Sequence, residues 1–276
     1  MVLSAYYSFY QIVIIVRLMK KYLIDLKVVD NIRLHADCCL LKLRSGMKLP
    51  EMIPGQFVQV RVDDSQKTFL RRPFSIYFLD KQANELWLLI QVVGEGTRRL
   101  SDCVPGNILN VILPLGNGFS APKSSAAELL LIGGGIGVAP LLFLGETLKS
   151  IGFKPEFLLG ARTKDYIVQL EEFAKFGEVH VTTEDGSMGE KGFVTHHSIL
   201  NDRNWDGIYA CGPHPMLVAV AKYAKASGID CEVSLENLMA CGIGSCLCCV
   251  EKTVKGNVCV CTEGPVFNIN QLTWQI

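Results

Sequence analysis

Little in this sequence points to nucleic acid or to a bilayer. Lysine plus arginine equals aspartate plus glutamate, 27 of each in 276 residues, so no basic field is available to gather phosphate backbones. Histidine is scarce, five in all, and none lies beyond His214. Long hydrophobic runs are missing as well. Mean hydropathy is positive, +0.28, yet the one candidate span, residues 6–18, is about a dozen residues where about 20 are needed. That run has no basic leader and no small-residue cleavage site, which makes it a poor signal peptide. Met19-Lys20-Lys21-Tyr22 reads as a natural start, so residues 1–18 are taken as an extension from an upstream start choice. The alternative for them is a membrane- or partner-binding segment.

Cysteine, by contrast, is plentiful, with eleven in the chain. Secretion would turn such a number into disulfides. Clustering at ligand-like spacing fits a reducing cytoplasm instead. The cluster is Cys241-Gly242-Ile243-Gly244-Ser245-Cys246-Leu247-Cys248-Cys249, followed by Cys259-Val260-Cys261. Three cysteines spaced C-x4-C-x2-C with a fourth about a dozen residues on is the plant-type [2Fe–2S] ligand pattern. Four thiolates must converge on two irons, which demands a tight loop, and Gly242 and Gly244 supply the positive φ angles and close amides. The expected ligands are Cys241, Cys246, Cys249 and Cys261. Cys248 should point away, because neighbours in an extended segment alternate faces. Cys259 rivals Cys261, since residues two apart on a strand share a face. The competing readings are a zinc site, which usually shows two C-x2-C pairs where only one is clear here, and inert buried thiols. No histidine falls between Cys241 and residue 276, which argues against a cluster with two histidine ligands.

Residues 21–118 read as short strands between turns: 22–30, 38–43, 57–62 after the Pro54-Gly55 turn, 86–93 and 108–113. Many short strands without helical periodicity predict a closed antiparallel β-barrel, with an all-β sandwich as the alternative. Two stretches in it carry chemistry. Arg72-Pro73-Phe74-Ser75 offers a cation for a pyrophosphate, a ring face and a hydroxyl, a set that suits a flavin dinucleotide. Gly94-Glu95-Gly96-Thr97 ends a strand in a turn that can present amides and a hydroxyl to phosphate; a plain hairpin, or a helix start capped by Thr97, fits as well.

Past the small polar linker 121–125 the period changes. A continuous apolar strand, 128–132, meets Gly133-Gly134-Gly135-Ile136-Gly137 and then a helical run over 141–150. Strand, glycine turn and helix form an anion-binding arrangement, although the strict G-x-G-x-x-G is not met. Further strands at 157–160, 179–183 and 208–213, and a helix over 215–227, predict a parallel α/β nucleotide domain. Cys211 ends a strand at the carboxyl edge, where it either packs beside a nicotinamide or is a buried spectator. His196 and His197 are expected on a solvated helix face without a role.

Taken together, Arg72 to Ser75, Gly96-Thr97, residues 133–140 and Cys211-Gly212-Pro213 stand in the order seen in the ferredoxin–NADP reductase superfamily. With the cysteine loop added, residues 19–276 resemble the electron-transfer subunits of dihydroorotate dehydrogenase B. The carriers are an R-P-x-S motif, a G-E-G-T turn, Pro-Leu-Gly-Asn-Gly-Phe at 114–119, M-A-C-G-x-G-x-C-x-x-C at 239–249 and C-T-E-G-P-V-F at 261–267. The resemblance favours Cys261 over Cys259. It implies a flavin barrel at 19–121, an NAD domain at 126–228 and a [2Fe–2S] domain at 229–276. It also implies FAD contacts at Arg72, Pro73, Phe74, Ser75, Leu89, Ile90, Gln91, Gly96 and Thr97, and NAD contacts at Gly133, Gly134, Gly135 and Gly137. The partner it implies is an FMN-containing catalytic subunit in a two-plus-two heterotetramer, oxidising dihydroorotate in pyrimidine synthesis in the cytoplasm. A subunit of another NAD(P)H oxidoreductase, such as ferredoxin:NADP reductase, shares the motifs up to the cluster. Arg162 and Lys164 leave the choice of NAD over NADP open.

Overall fold

Alternation of apolar and polar side chains folds the first half of the chain onto itself. Among the described residues of this computed structural model, 20–65 and 67–276, the first sheet has seven antiparallel strands. They are β1 Tyr22–His35, β2 Cys38–Ser45, β3 Phe57–Val60, β4 Arg72–Ser75, β5 Phe78–Asp80, β6 Glu85–Gln91 and β7 Ile108–Leu115. Their order is β4-β3-β7-β1-β2-β6-β5, and β4 approaches β6 across the opening, so the sheet curls into a barrel. Its interior is filled by Leu26, Val28, Leu41, Leu43, Val58, Val60, Leu86, Leu88, Ile90 and Val111. Each such side chain taken out of water contributes roughly 1.5–3 kcal/mol. Residues 1–18, read above as an extension, lie outside the described residues.

A second sheet is built from β8 Leu129–Gly134, β9 Glu156–Ala161, β10 Glu178–Thr183, β11 Glu190–Lys191, β12 Gly207–Cys211 and β13 Asp230–Ser234. These strands are mutually parallel, in the order β11-β10-β9-β8-β12-β13. Strand β8 is buried along its whole length, which is why it reads as an unbroken apolar run. Helices Ala139–Ser150 and His214–Ala226 follow β8 and β12. No helix among the described residues is long and apolar enough to cross a membrane.

The C-terminal part carries the hairpin β14 Val250–Thr253 and β15 Gly256–Cys259, then β16 Val266–Asn268. Strand β16 pairs antiparallel with β13 and so extends the second sheet. The expected units 126–228 and 229–276 therefore share one sheet: β13 and β16 lie beyond residue 228, and a boundary there would cut the β12–β13 ladder. His197 also departs from expectation. It is 7% exposed, not solvated, and its pKa is lowered by burial.

Candidate functional site

The cysteine loop is shaped by its glycines. Gly242 and Gly244 have φ of +69° and +85°, and Leu247 sits at +58°, a conformation costly for a branched side chain. The resulting bend aims main-chain N–H groups at sulfur. Amides of Ile243, Ser245 and Cys246 reach Cys241 Sγ at 3.5, 3.3 and 3.4 Å. Gly244 N reaches Cys261 Sγ at 3.2 Å, Cys248 N reaches Cys246 Sγ at 3.5 Å, and Cys261 N reaches Cys249 Sγ at 3.4 Å. All six contacts fall on the four cysteines expected as ligands. Burial pushes the Cys241 thiol up, but the amides outweigh it and bring the pKa down to about 6. Cys261 goes the other way, to about 12, through burial and its neighbour Cys249. Cys248 is exposed, and its side chain takes no part in these contacts. Cys259 lies against Cys249, and burial raises its pKa.

A set of four cysteines can hold two irons or one zinc. A single zinc with bonds of about 2.3 Å holds its sulfurs roughly 3.8 Å apart. Among the described residues, the set of three metal-binding side chains whose ligand atoms all fall within 4.8 Å is Glu156, Glu178 and His180, and the cysteines are not in it. Cysteine sulfurs that receive main-chain amide donors fit a two-iron, two-sulfide centre.

The segment 261–267 is clamped to the barrel by Asn117 and by the close approach of Gly116 to Gly264. Asn117 N donates to Gly264 O at 2.6 Å, and Asn117 Nδ2 donates to the carbonyls of Thr262 and Glu263 at 3.0 Å each. A Cβ on Gly116 would sit 2.7 Å from Gly264 O. The 114–119 and 261–267 segments thus meet each other across the interface.

The flavin candidates divide. Arg72 and Gly96 are brought together: a Cβ on Gly96 would lie 3.0 Å from Arg72 Nε. Thr97 opens the helix Glu95–Ser101, and its hydroxyl accepts from the amides of Val93 and Gly94 and donates to Gly94 O. It is spent on closing the turn, so the outward-facing groups are the amides of the first helical turn. Cross-strand pairing with Gln59 and Phe57 puts Pro73 and Ser75 on the outer face of the barrel, whereas Phe74 packs partly against the barrel core. Ile90 is fully buried in that core, Leu89 lies on the opposite face with Tyr77 and Val138, and Gln91 is exposed. A ligand outside the barrel meets Ile90 only through its backbone.

In the second sheet the glycines do different jobs. Gly137 packs on the chain at Cys211-Gly212, where a Cβ would be 2.5 Å from Gly212 Cα. Gly134 is closed by Met216, Gly133 by Val138 and Leu141. Gly135, with φ +55°, has open space where a side chain would stand. The turn Gly135–Val138 comes close to β6, and Val138, Ala139 and Leu89 share one buried cluster, so the glycine turn faces the Leu89 side of β6. Cys211 is fully buried beside Gly133 and Ser234, and burial holds its thiol neutral. Glu236 is exposed at the surface, but surrounding protein crowds its carboxyl and pushes its pKa up. It was not singled out from the sequence, and neither was Gln59, which lies against Gly242.

Comparison with known proteins matches these features. The family model for the iron–sulfur cluster binding domain of dihydroorotate dehydrogenase B covers residues 236–273. A dihydroorotate dehydrogenase B (NAD(+)) electron transfer subunit from Fusobacterium nucleatum is 40% identical over 88% of this chain and 95% of its own. The protein of the same description from Lysinibacillus sphaericus is 44% identical over 80% and 88%. Among solved structures, an NADH-dependent reduced ferredoxin-NADP oxidoreductase studied for flavin-based electron bifurcation superposes with TM-score 0.81 at 30% identity, covering 90% of both chains. The ferredoxin reductase in carbazole 1,9a-dioxygenase, at 20% identity, covers 76% of this chain and 67% of its own with TM-score 0.65 and shares the fold.

Proposed function

The chain belongs to the family of dihydroorotate dehydrogenase B (NAD(+)) electron transfer subunits, and we propose that it passes electrons from a companion catalytic subunit, which oxidises dihydroorotate at its own FMN, to NAD+. The observation that carries the reading is the seat of the cysteine loop. Amides converge on Cys241, Cys246, Cys249 and Cys261 while the same loop rests on strand β3, next to the flavin motif. When bound, FAD exchanges a hydride with nicotinamide and single electrons with a two-iron centre.

The chain's own groups supply position and charge. The four cysteines hold the cluster, and their amide neighbours stabilise sulfur charge. Arg72, placed against Gly96, meets the FAD pyrophosphate, and Pro73 and Ser75 line the outer face of β4. Gly135 leaves room for nicotinamide dinucleotide phosphates, and Gly133, Gly134 and Gly137 keep the turn closed around it. Cys211 is a neutral thiol beside that turn. Leu238, Ile243 and Leu247 are exposed around the cysteine loop, 85%, 43% and 64%, and give the companion subunit an apolar landing surface. The assembly is taken as two chains of each kind in the cytoplasm, working in pyrimidine synthesis. NAD is the acceptor for which the relatives are named; Arg162 and Lys164 stand exposed beyond the end of β9.

The test is cofactor analysis of the chain purified with its companions. Two irons and two acid-labile sulfides for each FAD and each FMN support the reading, and a chain with neither sulfide nor flavin ends it. A second reading rests on the 0.81 superposition with the ferredoxin-NADP oxidoreductase. Under it the companion is another reductase subunit, and the purified complex carries no dihydroorotate-reducible FMN.

A further inference from the structure

Strand β3 sends alternate side chains to two sides. Val58 and Val60 fill the barrel, while Phe57 joins the buried cluster that contains Cys249, Val260 and Cys261. Gln59 shares the side of Phe57. It is 0% exposed, and neither Nε2 nor Oε1 has a hydrogen-bond partner among the described residues. What it touches is the cysteine loop: a Cβ on Gly242 would sit 2.8 Å from both Gln59 Nε2 and Cγ. Across the ladder it faces Pro73 of the flavin motif. The amide therefore stands between the two places assigned to redox centres.

Gln56 is the internal control. It is the same residue type, three positions earlier and 2% exposed, and both ends of its amide are engaged. Its Oε1 accepts from Ile53 N at 2.9 Å, and its Nε2 donates to Gly116 O at 2.9 Å. A buried amide left unpaired carries a desolvation cost that a leucine of similar size would not. A donor retained at that cost implies an acceptor supplied by a bound group. Sulfur in an iron–sulfur centre is such an acceptor, and the loop beside Gln59 already directs amide N–H groups onto cysteine sulfurs.

We propose that Gln59 donates its side-chain N–H to a sulfur of the two-iron centre held by residues 241–261 and so sets that centre's potential relative to the flavin. The inference rests on the function proposed above. A hydrogen bond to sulfur stabilises the added negative charge of the reduced state and raises the potential. Removing it moves the shared electron from the cluster towards FAD.

The experiment uses the co-purified complex and two donorless variants, Gln59→Met and Gln59→Leu. Both keep full iron, sulfide and FAD, and both shift the cluster midpoint negative. The electron's partition between cluster and FAD changes on the order of tenfold, about 59 mV for a one-electron couple. In the parent complex, reduced and labelled with 15N-glutamine, pulsed EPR shows a weak coupling from a side-chain nitrogen that Gln59→Met removes. The proposal is overturned by unchanged potential and g values in both variants, by a change confined to the flavin's potential or absorption, or by absence of the glutamine coupling in the parent. A parent complex without sulfide is a different failure, which removes the cluster reading itself.

Discussion

The cysteine loop and the turn at residues 133–137 are both glycine-rich bends at a proposed ligand site, and they spend their glycines in opposite ways. In the cysteine loop glycine supplies backbone angles: Gly242 and Gly244 take φ of +69° and +85° so that amides point at sulfur. In the nucleotide turn three of four glycines supply absence of bulk. Gly133, Gly134 and Gly137 are each closed by neighbours, and only Gly135 is both left-handed and open. Gly96 stands between these cases, with a side chain, that of Arg72, filling its space. A loop built for its ligand should lose the ligand when altered and keep its fold; a loop built for its own packing should lose the fold first.

The largest effect tests the first half of that contrast. Cys246→Ser removes a proposed ligand that is exposed, so cluster iron, sulfide and the reduced-state EPR signal should vanish while FAD stays bound. An EPR signal equal to the parent's would remove Cys246 from the ligand set. The second half is tested by Gly137→Ala. Its Cβ would meet main-chain atoms of Cys211 and Gly212 at 2.5–2.6 Å, and a backbone cannot swing aside as a side chain can. The expected loss is towards the upper part of the 1–3 kcal/mol range for overpacking, read as a lower melting temperature with the iron content unchanged. Arg72→Ala belongs to the intermediate case. It should weaken FAD by about 1.5–3 kcal/mol, the worth of a charged hydrogen bond, with little effect on melting of the flavin-free chain. Flavin content unchanged after dialysis would show that Arg72 does not hold the pyrophosphate.

How much of this could be read beforehand follows from which signals are local. Strands β1, β2, β6, β7 and β8 announce themselves through two-residue alternation or an unbroken apolar run. The cysteine spacing points to its own chemistry, because three cysteines on one tight loop with a fourth about a dozen residues on are a local pattern. Tertiary docking left no such trace. Gln59 sits in a cleanly alternating strand, and on spacing alone it reads as the solvent side. Only the cysteine domain laid over β3 buries it. Asp230–Ser234 falls in the unit 229–276 that the resemblance implies, yet its ladder partner is β12. His197 looks solvated beside His196, but the pocket formed with Glu190 and His180 closes over it. Thr97 was ambiguous in sequence for a physical reason: the same hydroxyl can cap its own turn or serve a phosphate, and here it caps.

The smallest effect is the most discriminating, because Gly135 has both properties at once. Its φ of +55° makes any side chain pay for a left-handed backbone, about 1–2 kcal/mol for alanine, and nothing within 4 Å would oppose the added methyl. Gly135→Ala should therefore cost less stability than Gly137→Ala although both lie in one turn. Its methyl would project into the open space assigned to the dinucleotide, so the Michaelis constant for NADH should rise several-fold in flavin reduction by NADH, with cluster and FAD contents at parent values. A melting loss as large as that of Gly137→Ala, with unchanged NADH kinetics, would mean that this turn is packing throughout, and that the nucleotide approaches the sheet somewhere else.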